Sequence, residues 1–144
     1  MNVAHEFSRF AWHYESVNSI QKQVAAQLVS KLALKHYETV LDLGCGSGEI
    51  YKNIMRRGIG FERFVGVDIA PKMLERHPKE SRVELIQTSF ETVSLRPYDL
   101  VVSSSALQWS RDLNVALAHI SKLSNRFYFA IFSANTFKTL HQVA

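Results

Sequence analysis

Glycine stands at positions 44, 46 and 48, in the run Leu41-Asp-Leu-Gly-Cys-Gly-Ser-Gly-Glu49. Alternate glycines let backbone amides approach a ligand without Cβ obstruction. Such a loop should open a helix near Glu49, and a helix N-terminus favours a carboxylate or phosphate. Some twenty residues on, Phe64-Val-Gly-Val-Asp68 is an apolar run that ends in an acid. Asp68 has the chemistry to accept hydrogen bonds from both hydroxyls of a ribose. Glycine loop and acid together describe a nucleoside site with a charged tail, whereas the loop alone would equally suit a structural βα turn. A nicotinamide dinucleotide site is the nearest competitor, but its G-x-G-x-x-G pattern would need glycine at 49. Glu49 stands there.

The elements that must position these residues follow from hydrophobic spacing. Ile20, Val24, Ala25, Leu28, Val29 and Leu32 recur at three-to-four intervals, which predicts an amphipathic helix from Ile20 to Leu34. Thr39–Leu43 and Phe64–Asp68 read as buried strands, and Pro71 suits the first turn of a helix after the second. Val83–Gln87 and Tyr98–Ser103 predict two further strands, each apolar enough to be covered on both faces. Leu113, Ala116, Leu117, Ile120 and Leu123 define another helical stripe, Arg126–Phe132 a fifth strand, and the polar remainder to Ala144 a terminal helix. Alternating strands and helices imply an α/β, Rossmann-like, doubly wound and mostly parallel sheet of about five strands. The expected organisation is one domain over 1–144: a helical cap (1–36), an α/β core (37–132) and a short terminal segment (133–144).

Composition removes several function classes. With 47% hydrophobic and 21% charged residues, the 144-residue chain has the balance of an ordinary globular domain. Its longest notable apolar run, Phe127–Phe132, is far short of a bilayer span, and the opening MNVAHEFSRF lacks a secretory apolar region, so neither membrane nor export is expected and a cytoplasmic location is. A single cysteine, Cys45, excludes an internal disulfide, and no paired-ligand spacing suggests a metal. The net charge of +4 is mild, and Lys72, Arg76, Lys79 and Arg82 are interrupted by Glu75 and Glu80, as on a solvated face. No nucleic-acid partner is expected. Cys45 reads as a small lining residue, and His13 and His119 have no partner at a recognisable spacing.

The runs LDLGCGSGE, GVDIAPKML and YDLVVSSSALQW resemble successive motifs of the class I S-adenosylmethionine-dependent methyltransferases. Within that superfamily, FSRFAWHYE (7–15), IQKQVA (20–25) and ALQW (106–109) resemble the malonyl-acyl carrier protein O-methyltransferases of biotin synthesis. The resemblance implies S-adenosylmethionine as cofactor, with the loop from Asp42 to Gly48 around it. Gly44, Cys45 and Gly46 would line the methionine moiety, Asp68 and Ile69 hold ribose and adenine, and Met73 pack on the adenine. Ser89 stands where the family usually carries an acid, which leaves the adenine to the Phe90 amide. Ser103 and Ser104 would lie beside the methyl group, and Tyr14, the one candidate catalytic residue, over it. Trp109 reads equally as acceptor-channel lining or core.

An acceptor carboxylate, on a small molecule or carried by acyl carrier protein, is the implied substrate. Relatives continue past the fifth strand with an insertion and two more strands, and from this follow three expectations. The sheet should lack its usual last two strands, the fifth-strand edge should be open, and a homodimer could form through it. The alternatives are a cofactor-binding domain without independent catalysis, or a methyltransferase for another small-molecule acceptor.

Overall fold

The computed structural model describes residues 14–89, 97–104, 118, 122, 127–131 and 139–143, with side chains from residue 19 onward in the first stretch. Helix α1 (Tyr14–Ser30) leads into strand β1 (His36–Leu43), helix α2 (Glu49–Arg57), strand β2 (Gly60–Asp68) and the short helix α3 (Pro71–Arg76). Strands β3 (Val83–Gln87), β4 (Leu100–Ser104), β5 (Phe127–Ile131) and β6 (Thr139–Val143) follow. They form one sheet in the order β3-β2-β1-β4-β5-β6. The first five are mutually parallel and β6 pairs antiparallel with β5.

The periodicity works as the sequence implies. Val24, Ala25, Leu28 and Val29 are buried on α1 while Lys22, Gln23 and Gln27 face outward. The helix stops at Ser30, before Leu34, and tightens into a turn in which the Lys31 and Leu32 amides donate to the Leu28 and Val29 carbonyls. Its stripe joins Ile50, Tyr51 and Ile54 of α2 over Val40, Phe64, Leu100 and Val102 of the sheet, forming the main apolar cluster. Tyr51 stands edge-on to Phe64, with ring centroids 5.5 Å apart. Each such buried aromatic or aliphatic side chain contributes about 1.5–3 kcal/mol through removal from water. The register of β1 on β2, from His36↔Gly60 to Leu43↔Val67, brings the ends of both strands level.

Three expectations are corrected. Residues 139–143, expected within a terminal helix, form the strand β6 instead, because the edge of β5 offers unpaired backbone groups that a neighbouring strand satisfies. The α/β fold class stands, with six strands among the described residues, and β6 runs the full length of β5 from Phe127↔Val143 to Ile131↔Thr139. The edge proposed for a homodimer is occupied by the chain itself. Lastly, β3 is an edge strand with Glu84 and Gln87 exposed and no residue fully buried, so it is not covered on both faces as expected. The expected helical stripe from Leu113 to Leu123 lies outside the described residues except at Ala118 and Lys122. Among the described residues no helix is long and apolar enough to cross a membrane.

If β6 is what closes the β5 edge, removing residues 139–143 should expose it, and an uncovered apolar edge seeks a partner. Light scattering of the shortened chain is expected to give larger species than the parent. An unchanged mass would contradict the pairing.

Candidate functional site

From β1 the chain passes to β2 and β3 on one side, then returns to β4 on the other, so strand order reverses between β1 and β4. Ligands of open α/β sheets bind at the carboxyl ends of the strands beside such a reversal. The β1–β4 ladder stops at Asp42↔Val102, one position before the β1–β2 ladder. Where it stops, the Ser103 hydroxyl donates to the Leu43 carbonyl at 2.9 Å. Ser103 is fully buried, and its one proton is thus engaged within the sheet.

The glycine loop is stitched to β2 rather than free. The Gly44 and Cys45 amides both donate to the Val67 carbonyl, at 2.7 and 2.9 Å. The Gly46 amide donates to Asp68 Oδ2 at 2.8 Å, and the Ala70 amide to Asp68 Oδ1 at 2.8 Å. Asp68 is thereby fixed at both oxygens, each of which keeps a second acceptor position. The Gly48 amide closes the turn onto the Cys45 carbonyl, and the Gly48 carbonyl accepts the first α2 bond from Lys52. Gly44, Gly46 and Gly48 have φ of 71°, 55° and 97°, the left-handed region that side chains disfavour. A Cβ on Gly46 would meet nothing within 4 Å, so the loop is open beside the Gly46 Cα. Beside it Ile69 is 51% exposed, an apolar side chain next to the clamped carboxylate.

Under the loop lies Asp42, fully buried, with neither carboxylate oxygen hydrogen-bonded among the described residues. Burial pushes its carboxyl well above the usual carboxylate range, and the nearby Asp68 charge pushes it the same way. Cys45 is also buried, and its thiol is pushed up first by burial and then by Asp42 and Asp68, so it stays protonated and unreactive. Its sulfur occupies room that Gly66 leaves on β2: a Cβ at position 66 would lie 2.9 Å from Cys45 Sγ and 3.0 Å from Leu85 Cδ2.

Asp42, Gly44, Cys45, Gly46, Gly48, Asp68, Ile69 and Ser103 are therefore gathered at the ends of β1, β2 and β4. Met73 lies half-buried on α3, and Ser89 half-buried just beyond β3, where the Thr88 amide bonds the Asp68 carbonyl. The Tyr14 side chain, Phe90 and Trp109 lie outside the described residues. Sequence reasoning missed Gly66, for which a glycine inside an apolar strand was an available signal of close approach. It also missed His77 and Pro78, which press on Gly48 from behind.

A family model for a methyltransferase domain matches residues 40–126, more than half of the chain. The chain belongs to the methyltransferase-domain family. Its fold is that of the class I S-adenosylmethionine-dependent enzymes. A malonyl-[acyl-carrier protein] O-methyltransferase from Acetivibrio thermocellus is 35% identical, over 94% of this chain and 50% of its own length. One of the same description from Hamiltonella defensa is 29% identical, over 99% and 55%. A solved structure from Listeria monocytogenes, provisionally described as an S-adenosylmethionine-dependent methyltransferase, superposes with a TM-score of 0.68 at 25% identity over 80% of this chain and 56% of its own. The chain spans about half the length of the curated relatives it matches.

The donor set of the methyltransferase domain fits that cofactor. Four loop amides, those of Gly44, Cys45, Gly46 and Gly48, are already donating inside the protein, which is a poor offering to a pyrophosphate. What remains is acceptor capacity: the second acceptor positions on Asp68 for hydroxyls and, beneath the loop, the carboxyl of Asp42, which has no partner among the described residues.

Two outcomes test this geometry. Because burial raises the Asp42 pKa, its neutral form is favoured on folding. The associated stability is complete below the ordinary carboxylate range near 4 and is lost as pH rises toward the folded value. Asp42→Asn has no such loss, so the melting temperature of the ligand-free variant should exceed the parent's by a margin that widens between pH 5 and pH 8. Each kcal/mol would be about 2–8 °C in a chain of this size. A constant margin in scanning fluorimetry would refute the assignment. Gly66→Ala should lose about 1–3 kcal/mol by overpacking. Adding Cys45→Ala should restore part of it, since one of the two close contacts is relieved. Denaturant melts giving simple additivity of the two changes would contradict the contact.

Proposed function

We propose that this chain binds S-adenosylmethionine at the β1–β2–β4 ends and takes part in methylating a carboxylate. The malonyl group of an acyl-carrier thioester, on the route to biotin, is its specific acceptor. The observation that carries the reading is the Asp68 carboxylate, held on both oxygens by the Gly46 and Ala70 amides beside open space. The acceptor rests on relatives of that description aligned over nearly all of the chain.

When bound, the cofactor supplies an electrophilic methyl group on a sulfonium. The chain's own residues bind and align. Asp68 would accept hydrogen bonds from the ribose hydroxyls through its free lone pairs, and Ile69 and Met73 would offer apolar surface to the adenine, whose polar edge the family resemblance assigns to Ser89 and the Phe90 amide. Gly44, Cys45 and Gly46 flank the methionine tail, and Asp42 receives its ammonium group; pairing with a cation would relieve the burial that now raises the carboxyl. By the family resemblance, Ser103 and Tyr14 would border the acceptor side. A carboxylate acceptor has a pKa of about 4 and is ionised at neutral pH, so no general base is required. Alignment then carries the rate, and proximity supplies as much as about 7–11 kcal/mol when donor and acceptor are in line.

A second reading is favoured by one fact, that the matched region is about half of each relative: a cofactor-binding domain whose acceptor site needs further protein.

Calorimetry with S-adenosylhomocysteine separates the cofactor assignment from the acceptor. Asp68→Ala removes charged hydrogen bonds worth about 1.5–3 kcal/mol each, hence at least about tenfold in affinity. Undiminished binding by that variant would overturn the site. Labelled methyl transfer to malonyl-acyl carrier protein, and much less to free malonate, is the expected acceptor result. Binding without transfer, even with a relative's C-terminal half supplied, would leave the second reading.

A further inference from the structure

The loop is held at three places, and only two of them involve the glycine motif and Asp68. The third is a wall behind Gly48. A Cβ on Gly48 would lie 2.7 Å from Pro78 Cδ and 3.1 and 3.2 Å from His77 Cδ2 and Nε2. Gly48 is also the N-cap of α2, with no side chain to cap it and a left-handed φ of 97°. Its turn is restrained locally by the Cys45 carbonyl and the Lys52 amide, and the imidazole and proline ring supply contact from outside.

His77 is 2% exposed and sits between Tyr51 and Phe64, at ring-centroid distances of 5.7 and 5.9 Å. Its Nδ1 lies 2.9 Å from the Pro78 carbonyl, an acceptor, so Nδ1 carries the proton and donates it there. Nε2 is then a buried lone pair, with no hydrogen-bond partner among the described residues, turned toward the start of α2. That end of a helix carries positive partial charge, which tolerates a lone pair and opposes a proton.

We propose that His77 is a positioning residue for the cofactor loop, holding the Gly48 turn as a neutral imidazole and loosening it when Nε2 is protonated. The inference rests on the cofactor reading above. The charged and titratable groups around the ring agree in direction. Lys52 and Tyr51 face it from α2, Lys79 lies in its own segment, and Phe64 of β2 brings no charge. Glu80 is occupied by Tyr51 and Arg82, which both donate to it. Burial lowers the His77 pKa most, Lys79 and Lys52 lower it further, and the bond to Pro78 opposes them. An imidazolium would have no acceptor at Nε2 among the described residues and would press its charge on the glycine that opens α2.

Proton and cofactor should therefore compete, and linkage makes the effect reciprocal. In the full chain, the imidazole signals followed by NMR identify His77 as the resonance lost in His77→Gln or, should that variant not fold, in His77→Phe. Saturation with S-adenosylhomocysteine is expected to move the His77 titration to lower pH. On passing from pH 8 to pH 5.5 affinity should fall further in the parent than in His77→Gln, whose amide still donates to Pro78 but does not titrate. The change of the parent-to-variant affinity ratio with pH, rather than its value at any one pH, separates this from simple loss of packing. A His77 titration unmoved by the ligand, or a parent-to-variant affinity ratio constant with pH, overturns the inference while leaving the cofactor site standing. No binding at any pH overturns both.

Discussion

The Asp68 carboxylate, with one oxygen on the Gly46 amide and the other on the Ala70 amide, ties the glycine loop to the start of α3. Charged hydrogen bonds of this kind are worth about 1.5–3 kcal/mol each. They can form only because β1 and β2 end level, Leu43 against Val67, so that the first two loop amides land on the Val67 carbonyl and the third reaches the next residue's side chain. That register is set in turn by the apolar face shared by Val40, Phe64 and the helices above them, since a slip of one residue would turn the buried set outward. The site is thus a consequence of core packing carried to the strand ends.

The same packing leaves one buried group without its complement. Asp42 is sealed under the loop with no hydrogen bond among the described residues, and Gly66 clears space for Cys45 beside it. A buried unpaired carboxylate destabilises the free protein, and its presence at a point where the sheet reverses is the local departure from good packing that functional sites show. The large apolar cluster around Phe64, Leu28 and Ile54 tolerates it.

Much of this was legible in the sequence. Asp68 and the three glycines announce themselves because their roles depend on neighbours within a few residues and on the end of one strand. Five of the β-strand positions likewise follow from short apolar runs. The strand at 139–143 was not legible, since its five residues carry no strong period and their state is decided by the free edge of β5. The exposure of β3 was missed for a related reason: an apolar run does not say whether one neighbour or two will flank it. His77 carried no signal in the sequence; only the long-range approach of its segment to Gly48 gives it meaning.

The central claim is that the clamped loop and Asp68 form a nucleoside site selective for an S-adenosyl ligand, and residue-resolved amide NMR addresses it most directly. Adding S-adenosylhomocysteine should shift the Gly44, Gly46, Asp68 and Ala70 amides together and saturably, while a nicotinamide dinucleotide leaves them in place. Shifts that avoid these four amides, or an equal response to the dinucleotide, would contradict the account.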